Sequence, residues 1–277
     1  MDDVTNIDIR VQGNLSSGNA GAAERMPVTA IICGRGRVGK TVVANALVQF
    51  CRERGANLQV WNADRQNETH SLSVFHSDAE RPPTDDSEEK RVWLETKLGQ
   101  QVRERFDAVL DMAGGDPTIK RLAKDVRLVT TMERQGIRPV ALHILGPEKA
   151  DLDYLKQSME DGLFMPAATL IVYNGGLVES GRSVRAVFAE VAKHEVVFQA
   201  MDKGAKLIWF PALLCMSQVT DRGLTFAEAM RGQVKPGQEP LSFFDQTRVA
   251  IFWEELLPAA FEDVPNDWLP YMTGWRR

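Results

Sequence analysis

The sequence predicts an α/β protein with a mostly parallel, doubly wound sheet covered by helices on both faces, a three-layer α/β/α arrangement. Short apolar runs that end in glycine or polar residues alternate with segments of helical periodicity about six times. The runs are mainly apolar, as expected of strands buried on both faces. No internal repeat or change of composition interrupts this alternation, so we expect one domain over residues 26–277.

The first predicted strand is Val28–Cys33, which ends in a glycine-rich turn and is followed by a helix from Thr41. Further strands are predicted at Leu58–Asp64, Phe106–Asp111, Arg138–Leu145, Ala168–Gly176 (including its glycine turn) and Lys206–Pro211. Helices are predicted near Glu89–Phe106, from Pro117, at 151–160, around Val184–Val191, and at 224–230 and 248–261. Because the strands are parallel, the polar residues that follow them should meet at one edge of the sheet.

The composition of the chain limits the classes of function that it can have. The 277 residues are 44% hydrophobic, enough for a sizeable core, and the net charge of −5 excludes a globally basic nucleic-acid binder. Three scattered cysteines and four histidines without metal-ligand spacing indicate a reduced, cytoplasmic protein without a zinc site. No apolar run approaches the ~20 residues of a membrane-spanning helix, so we expect no transmembrane segment and no membrane contact.

Residues 1–25 are acidic at first and then rich in glycine, serine and asparagine. They lack the basic start and the apolar stretch of a signal peptide. The composition predicts a flexible N-terminal arm or, alternatively, a tail that binds a partner.

The turn after the first strand has the spacing of a phosphate-binding loop, with four residues between Gly34 and Gly39-Lys40-Thr41. Backbone N–H groups of such a loop and of the next helix surround phosphate oxygens. We therefore predict a nucleotide site formed by Gly34, Arg35, Gly36, Arg37, Val38, Gly39, Lys40, Thr41 and Val42. Lys40 would reach the β- and γ-phosphates, and Thr41 would bind Mg²⁺. The alternative is a glycine turn with a surface lysine.

Two aspartates near strand ends are candidates for the metal and the catalytic water. Asp111 closes its strand and is the predicted second anchor for Mg²⁺, unless it only caps the following turn. Asp64 would orient the attacking water or hold a metal-bound water, unless it is a helix cap or a solvated acid. Asp107 begins the same strand as Asp111 and is excluded, because it should lie at the opposite edge of the sheet.

Two later residues are candidates for contact with the base. Asn174 ends a strand, where its amide would read a purine edge, although an asparagine before two glycines is also a common turn residue. Pro211 follows the last strand and would shape the base pocket, although a proline at a strand end needs no function.

Four segments together resemble the MinD/ParA-type ATPases. The stretch 34–41, GRGRVGKT, resembles their deviant Walker A loop, and 58–66, LQVWNADRQ, is similar to their second-strand motif. The stretch 106–115, FDAVLDMAGG, resembles their Walker B strand, and 170–176, LIVYNGG, is similar to the strand that carries their base-contacting asparagine. The order and spacing hold over about residues 26–215, and the general likeness is greatest to plasmid-borne members of StbB or TraL type.

The resemblance implies a slow ATPase that acts as a switch in positioning, stability or conjugation of plasmids. Two subunits of such a protein enclose two ATP molecules, and a lysine from each loop reaches the partner's phosphates. Arg35 occupies the position of that lysine, so the resemblance implies a catalytic role for it across a homodimer, like an arginine finger. The loop lysine, threonine and Walker B acid correspond to Lys40, Thr41 and Asp111, and the catalytic aspartate to Asp64.

The sequence departs from the family pattern at three positions. Arginine replaces the cross-subunit lysine at position 35, Arg37 replaces a glycine, and Asn62 replaces the first acid of the second-strand motif. If that glycine has a positive φ, Arg37 would be strained there. Alternatively, both arginines point to solvent. Because of these departures, the sequence supports nucleotide binding more strongly than ATP hydrolysis.

Other functions stay open at this point. A P-loop kinase would need a mobile lid, for which the segment Arg65–Lys90 is available, and a nucleotide-binding scaffold would turn over little ATP. The partner of a switch would be DNA or a DNA-bound adaptor protein. The densest basic cluster is Lys120, Arg121, Lys124 and Arg127, which is also typical of a solvated helix face. The aromatic residues of 266–277 are expected to dock on the domain or on a partner.

Overall fold

The computed structural model describes residues 25–65, 71–114, 116–160 and 164–275. Its six strands are β1 (Val28–Cys33), β2 (Leu58–Asn62), β3 (Asp107–Asp111), β4 (Arg138–Leu145), β5 (Ala168–Asn174) and β6 (Lys206–Phe210). They form one sheet in the order β2-β3-β1-β4-β5-β6, and every neighbouring pair is parallel. Of the predicted N-terminal arm at residues 1–25, residues 1–24 lie outside the described residues. The predicted parallel sheet is confirmed.

Helices connect all of these strands. They are α1 (Lys40–Glu53), α2 (Leu72–Phe75), α3 (Ser87–Glu104), α4 (Thr118–Val126), α5 (Leu128–Arg134), α6 (Lys149–Glu160), α7 (Val184–Val187), α8 (Ala189–Ala192), α9 (Glu195–Asp202), α10 (Met216–Asp221), α11 (Phe226–Met230), α12 (Phe243–Ile251) and α13 (Leu257–Phe261). In the described parts of the chain, no helix is long and apolar enough to cross a membrane.

Alternate strand residues enter two cores on opposite faces of the sheet. On one face, residues such as Ile32 pack with α1 and the C-terminal helices in a core that includes Phe50 and Phe252. On the other face, Ile31 packs against α3, α4 and α5, and Tyr173 packs in a separate cluster against α6, α8 and α9. Both faces of the sheet are therefore covered, which confirms the three-layer α/β/α fold.

The helices differ from the predictions where the chain packs tightly. The predicted helix around Val184–Val191 is broken at Phe188, which is fully buried against the ring of Tyr173. The predicted helix at 248–261 begins earlier, at Phe243, and contains a π-helical turn at Phe252–Leu256. The turn comes just before Pro258, whose missing N–H cannot continue a regular hydrogen-bond pattern.

The C-terminal segment lies along the amino edge of the sheet. The backbone N–H of Tyr271 donates to the carboxylate of Asp107, and Gly274 N–H donates to the carbonyl oxygen of Arg54. The ring of Trp275 lies 5.0 Å from that of Phe50, nearly perpendicular to it. The aromatic end of the described chain therefore docks on the domain itself, which was one of the two expected outcomes.

Candidate functional site

The predicted phosphate-binding loop connects β1 to α1 at the carboxyl edge of the sheet. Gly39 precedes the helix with a φ of 83°, and a Cβ there would lie 2.3 Å from Nδ2 of Asn174. Gly34 also has a positive φ, and a Cβ on it would lie 2.8 Å from the carbonyl oxygen of Ile144. Both glycines are required by backbone conformation and by close packing. The loop is held in shape by β4 and β5, which lie beside it.

Arg37 has the conformation that the sequence analysis identified as a problem. Its φ is 69°, in the left-handed region that favours glycine, and its side chain is exposed. A residue with a Cβ pays roughly 1–2 kcal/mol for this conformation. The loop thus keeps the backbone shape expected of a glycine while it carries an arginine, which is exposed beside the loop.

Lys40 is 7% exposed, and its Nζ donates to the carbonyl oxygen of Arg35 at 3.0 Å. Burial lowers the pKa of its ammonium group, while the nearby carboxylates of Asp111 and Asp64 act in the opposite direction. The cation folds back over its own loop, where it is available to the phosphates that such a loop binds.

Thr41 and Asp111 form the most informative contact of the site. The hydroxyl of Thr41 donates to Oδ2 of Asp111 at 2.8 Å, although the two residues lie 70 positions apart. Oδ1 of Asp111 is buried and has no hydrogen-bond partner among the described residues. Burial raises the pKa of this carboxyl to about 7, and the hydrogen bond from Thr41 opposes that rise.

These two residues fit Mg²⁺. A hydroxyl and a carboxylate with an unused oxygen are the protein ligands expected where Mg²⁺ keeps several waters and binds phosphate oxygens. Asp64 follows β2 and is close enough to influence the charges of both Lys40 and Asp111. The predicted triad of Thr41, Asp64 and Asp111 is therefore brought to one corner, and its metal role stays a prediction.

Asn62, which stands where the resembled family has an acid, is fully buried. Its Nδ2 donates to the hydroxyl of Ser73, and its Oδ1 accepts from the backbone N–H of Asp64. The asparagine thereby ties α2 to the end of β2 and shapes the turn that carries Asp64. This residue has a structural role that a lone carboxylate would not fill in the same way, because an acid cannot donate to Ser73 when ionised.

Asn174 and Pro211 lie at the ends of β5 and β6. The amide of Asn174 donates to the carbonyl oxygen of Val38 at 2.9 Å and accepts from Gly176 N–H at 3.0 Å, so the side chain holds the phosphate loop. Pro211 lines a groove of about 390 Å³ together with Val184. In this structure Asn174 is a positioning residue, and contact of either residue with a base stays a prediction.

The side chain of Arg35 is held by two acidic side chains. Its Nη1 lies 3.1 Å from Oε2 of Glu148 and 3.3 Å from Oδ1 of Asp151. Asp151 is buried, and desolvation raises the pKa of its carboxyl although the charge of Arg35 opposes the rise. Within one chain, the cation predicted to act across a dimer is therefore held in an ion pair. The side chain is still 46% exposed.

Sequence reasoning did not single out Gly114 and Asp116. A Cβ on Gly114 would lie 2.8 Å from Cα of Gly36 and 3.1 Å from Nζ of Lys40, so the loop after β3 is packed directly on the phosphate loop. Asp116 forms a buried ion pair with Lys90 of α3 at 2.6 Å and also accepts from Thr118 N–H. The glycines after Asp111 were the available signal for this close approach.

No family model matches the chain, and no curated protein sequence matches it. Solved structures of similar fold include a MinD cell division protein from Aquifex aeolicus, at 15% identity, with 83% of this chain and 96% of that chain covered and a TM-score of 0.42. A nucleotide-binding protein in complex with ADP from Archaeoglobus fulgidus has 14% identity over 91% and 95% of the chains, with a TM-score of 0.42.

The signal recognition particle receptor FtsY from Elizabethkingia anophelis, in complex with GDP, has 12% identity over 86% of this chain and 67% of that chain, with a TM-score of 0.46. Identities of 12–15% and TM-scores below 0.5 do not establish a shared function. Function is therefore inferred from the residues of the site.

Proposed function

We propose that this chain binds ATP together with Mg²⁺ at the loop of residues 34–42. The observation that carries the proposal is the hydrogen bond from Thr41 to Asp111 at 2.8 Å, which leaves the second oxygen of Asp111 buried without a partner among the residues that the structure describes. Burying an unpaired carboxylate oxygen is costly unless a ligand uses it. Thr41 and Asp111 would hold Mg²⁺, which would neutralise phosphate charge when bound, and Lys40 would bind the phosphates directly.

We further propose a nucleotide-dependent dimer of MinD/ParA type, in which slow ATP hydrolysis controls assembly. The support is the exposure of Arg35 at the mouth of the loop and the position of Asp64 beside Lys40 and Asp111. Asp64 would orient the attacking water, and Arg35 would reach the phosphates of the partner subunit.

The finer role that we propose is positioning of DNA or of a DNA-bound adaptor, in plasmid stability or conjugation. Its support is the sequence resemblance, together with the basic face of α4. There, Lys124 and Arg127 are exposed, while Lys120 lies 5.2 Å from the ring centroid of Tyr154. DNA-stimulated phosphate release that weakens steeply with salt would support direct contact with DNA.

Sedimentation of the full chain without nucleotide, with ADP and with ATP plus Mg²⁺ tests the switch. We expect a dimer with ATP only. A monomer in all three solutions would contradict the proposed dimerisation. ATP binding, measured in parallel, tests the proposed nucleotide site separately. Competition of GTP against ATP tests the choice of base.

Replacement of Lys40 by alanine should remove nucleotide binding, because the loop loses its one buried phosphate-directed cation among the described residues. We expect ATP affinity to fall at least about 100-fold, in line with the loss of a charge-assisted contact in a desolvated site. The measurement is calorimetric titration of the full chain. Lys124→Ala removes an exposed lysine as the matched control and should leave the affinity unchanged. Micromolar affinity retained by Lys40→Ala would refute the assignment of the loop.

A nucleotide-binding scaffold with little hydrolysis is the second candidate function. The observation that favours it is the ion pair that holds Arg35 on Glu148 and Asp151, since a catalytic cation must leave this pair to act on a partner subunit. Phosphate release by the ATP-bound dimer separates the two candidates. Stable dimers without measurable release support the scaffold, and release that disappears with Asp64→Asn supports the ATPase.

A further inference from the structure

An apolar groove runs between α3 and the α4–α5 pair, away from the nucleotide site. Its volume is about 440 Å³, and its apolar lining is formed mainly by Leu98, Val102, Leu122, Val126, Leu128 and Met132. Val126 is 40% exposed, although it is aliphatic and lies at the end of α4. An apolar depression of this size is typical of a surface that another group covers.

The described chain begins beside one end of this groove. The backbone N–H of Arg138 donates to the carbonyl oxygen of Pro27 at 2.8 Å, and Ile137, the preceding residue, lines the groove. Arg25 is anchored next to it by its ion pair with Asp107. Residues 12–24 lie upstream of this anchor, and a polypeptide of that length can span at most roughly 45 Å. The first residues of the arm can therefore reach the groove.

Residues 4–11, which we name the arm segment, have the composition that such a groove accepts. The segment VTNIDIRV contains four aliphatic residues, including Ile7 and Ile9, and it follows two aspartates, Asp2 and Asp3. It is the apolar part of an arm that is otherwise rich in glycine, serine and asparagine. Burying these side chains would contribute roughly 25 cal/mol for each Å² of apolar surface removed from water.

The charges around the groove complement those of the arm. Exposed Arg103 lines the groove, and exposed Lys124 and Arg127 flank Val126. Of the acids nearby, Glu95 is already paired with Arg91, and Asp125 is exposed. The net positive rim would attract the acidic start of the arm.

We propose that the arm segment of the same chain docks in the groove between α3 and α4–α5. The docked segment covers Val126 and the other apolar side chains of the lining. It also bridges the two helices that hold Asp116, since Lys90 belongs to α3 and Thr118 begins α4. The docking is independent of nucleotide and of dimer formation.

Cross-linking of the full chain by paired cysteines tests this docking. The variant Ile9→Cys/Val126→Cys places one thiol in the arm segment and one on the groove, and the three native cysteines are buried. The control is Ile9→Cys/Val234→Cys, because Val234 is 47% exposed and lies in the connection between α11 and α12, whose buried residues belong to the core on the other face of the sheet. The arm should therefore not favour it. With oxidised glutathione, we expect the intramolecular disulfide to form about tenfold faster at Val126 than at Val234.

Addition of Ile7→Asp to the Val126 pair should bring its rate down to that of the control. Equal rates for the two pairs, or no effect of Ile7→Asp, would overturn the proposal. A disulfide that forms only between chains, with a rate that rises with protein concentration, would also overturn it and would assign the groove to a second copy. Both cysteine positions on the domain are exposed, so neither substitution should impair folding.

Discussion

Asp107 and Asp111 occupy the two ends of the same five-residue strand, and both are buried. Asp107 accepts hydrogen bonds from the side chain of Arg25 and from the backbone N–H groups of Val28 and Tyr271. Asp111 accepts one hydrogen bond, from Thr41, and its other oxygen has no partner within the described residues. The first carboxylate joins three parts of the chain, whereas the second is left available to a ligand.

The difference shows that burial of an acid does not by itself mark a functional site. At the amino edge of a parallel sheet the strands begin, and unpaired backbone N–H groups there can satisfy a carboxylate. At the carboxyl edge, the loop before α1 offers groups that bind phosphate. There, the second oxygen of Asp111 accepts no hydrogen bond from the described residues, so it can bind a cation. What distinguishes the two aspartates is the number of donors that the fold brings to each.

Asp107→Ala should give the largest effect, on stability. It leaves the guanidinium of Arg25 and two backbone N–H groups without their acceptor, so we expect a loss of about 3 kcal/mol in the free energy of unfolding. Urea unfolding of the full chain measures it. Asp125→Ala, at an exposed acid of α4, is the control and should change little. A loss below 1 kcal/mol would contradict the role of Asp107 as a clamp.

Asp111→Asn should affect binding rather than folding. Asparagine keeps an acceptor for Thr41 but lacks the charge that Mg²⁺ requires, so we expect at least about a tenfold loss of the Mg²⁺-dependent part of ATP affinity. The internal control is ATP affinity in the presence of EDTA, which should not fall. If the variant binds Mg²⁺ and ATP like the unmodified chain, Asp111 is not the metal anchor.

The pH dependence of stability sharpens the same comparison. Since burial raises the pKa of Asp111 to about 7, the folded chain holds a proton that the unfolded chain releases near pH 4. The contribution of Asp111 to the free energy of unfolding is thus fully present below about pH 4 and is lost as the pH rises to about 7. Relative to Asp111→Asn, the unmodified chain should lose free energy of unfolding between about pH 4 and pH 7. If the two chains give parallel profiles of the free energy of unfolding against pH, the pKa of Asp111 is not raised in the folded chain.

Asp151 is an intermediate case, a buried acid paired with Arg35, which we propose acts on the phosphates of a partner subunit. Asp151→Asn weakens the hold on Arg35 and should strengthen ATP-dependent dimerisation about two- to fivefold, the effect of one partly exposed ion pair. Sedimentation with ATP and Mg²⁺ measures it. Arg35→Ala is the opposing variant, which should leave ATP binding by the monomer intact and weaken the dimer. Unchanged dimerisation in both variants would remove Arg35 from the interface.

Arg37→Gly should give the smallest effect. Glycine relieves the positive φ of 69° but adds freedom to the unfolded chain, so we expect a net stabilisation of about 0.5–1 kcal/mol. Thermal unfolding detects it. The control is Arg182→Gly, since Arg182 is exposed and is not among the residues of positive φ. Destabilisation by Arg37→Gly would mean that the arginine side chain makes a compensating interaction.

Much of the fold was predictable because its signals are local. The strands β1, β3, β4 and β5 match the predicted strands closely, because strands buried on both faces form mainly apolar runs in the sequence. The strand β2 ends at Asn62, two residues before its predicted end at Asp64, and the N–H of Ala63 still donates to the carbonyl oxygen of Asp111 in β3. The break at Phe188 was not predictable, because periodicity alone does not show that its ring packs on Tyr173.

By itself, the sequence determined the order of strands and helices and the glycine-lysine-threonine loop, because these depend on residues that are neighbours in the chain. Only the tertiary structure decided which side chains are already hydrogen-bonded within the protein and which can bind a ligand. Asn174 reaches Val38 across 136 positions, and Tyr271 reaches Asp107 across 164. Hydrogen bonds over such distances in the chain depend on how the strands are ordered in the sheet, which is why two aspartates four residues apart have different roles.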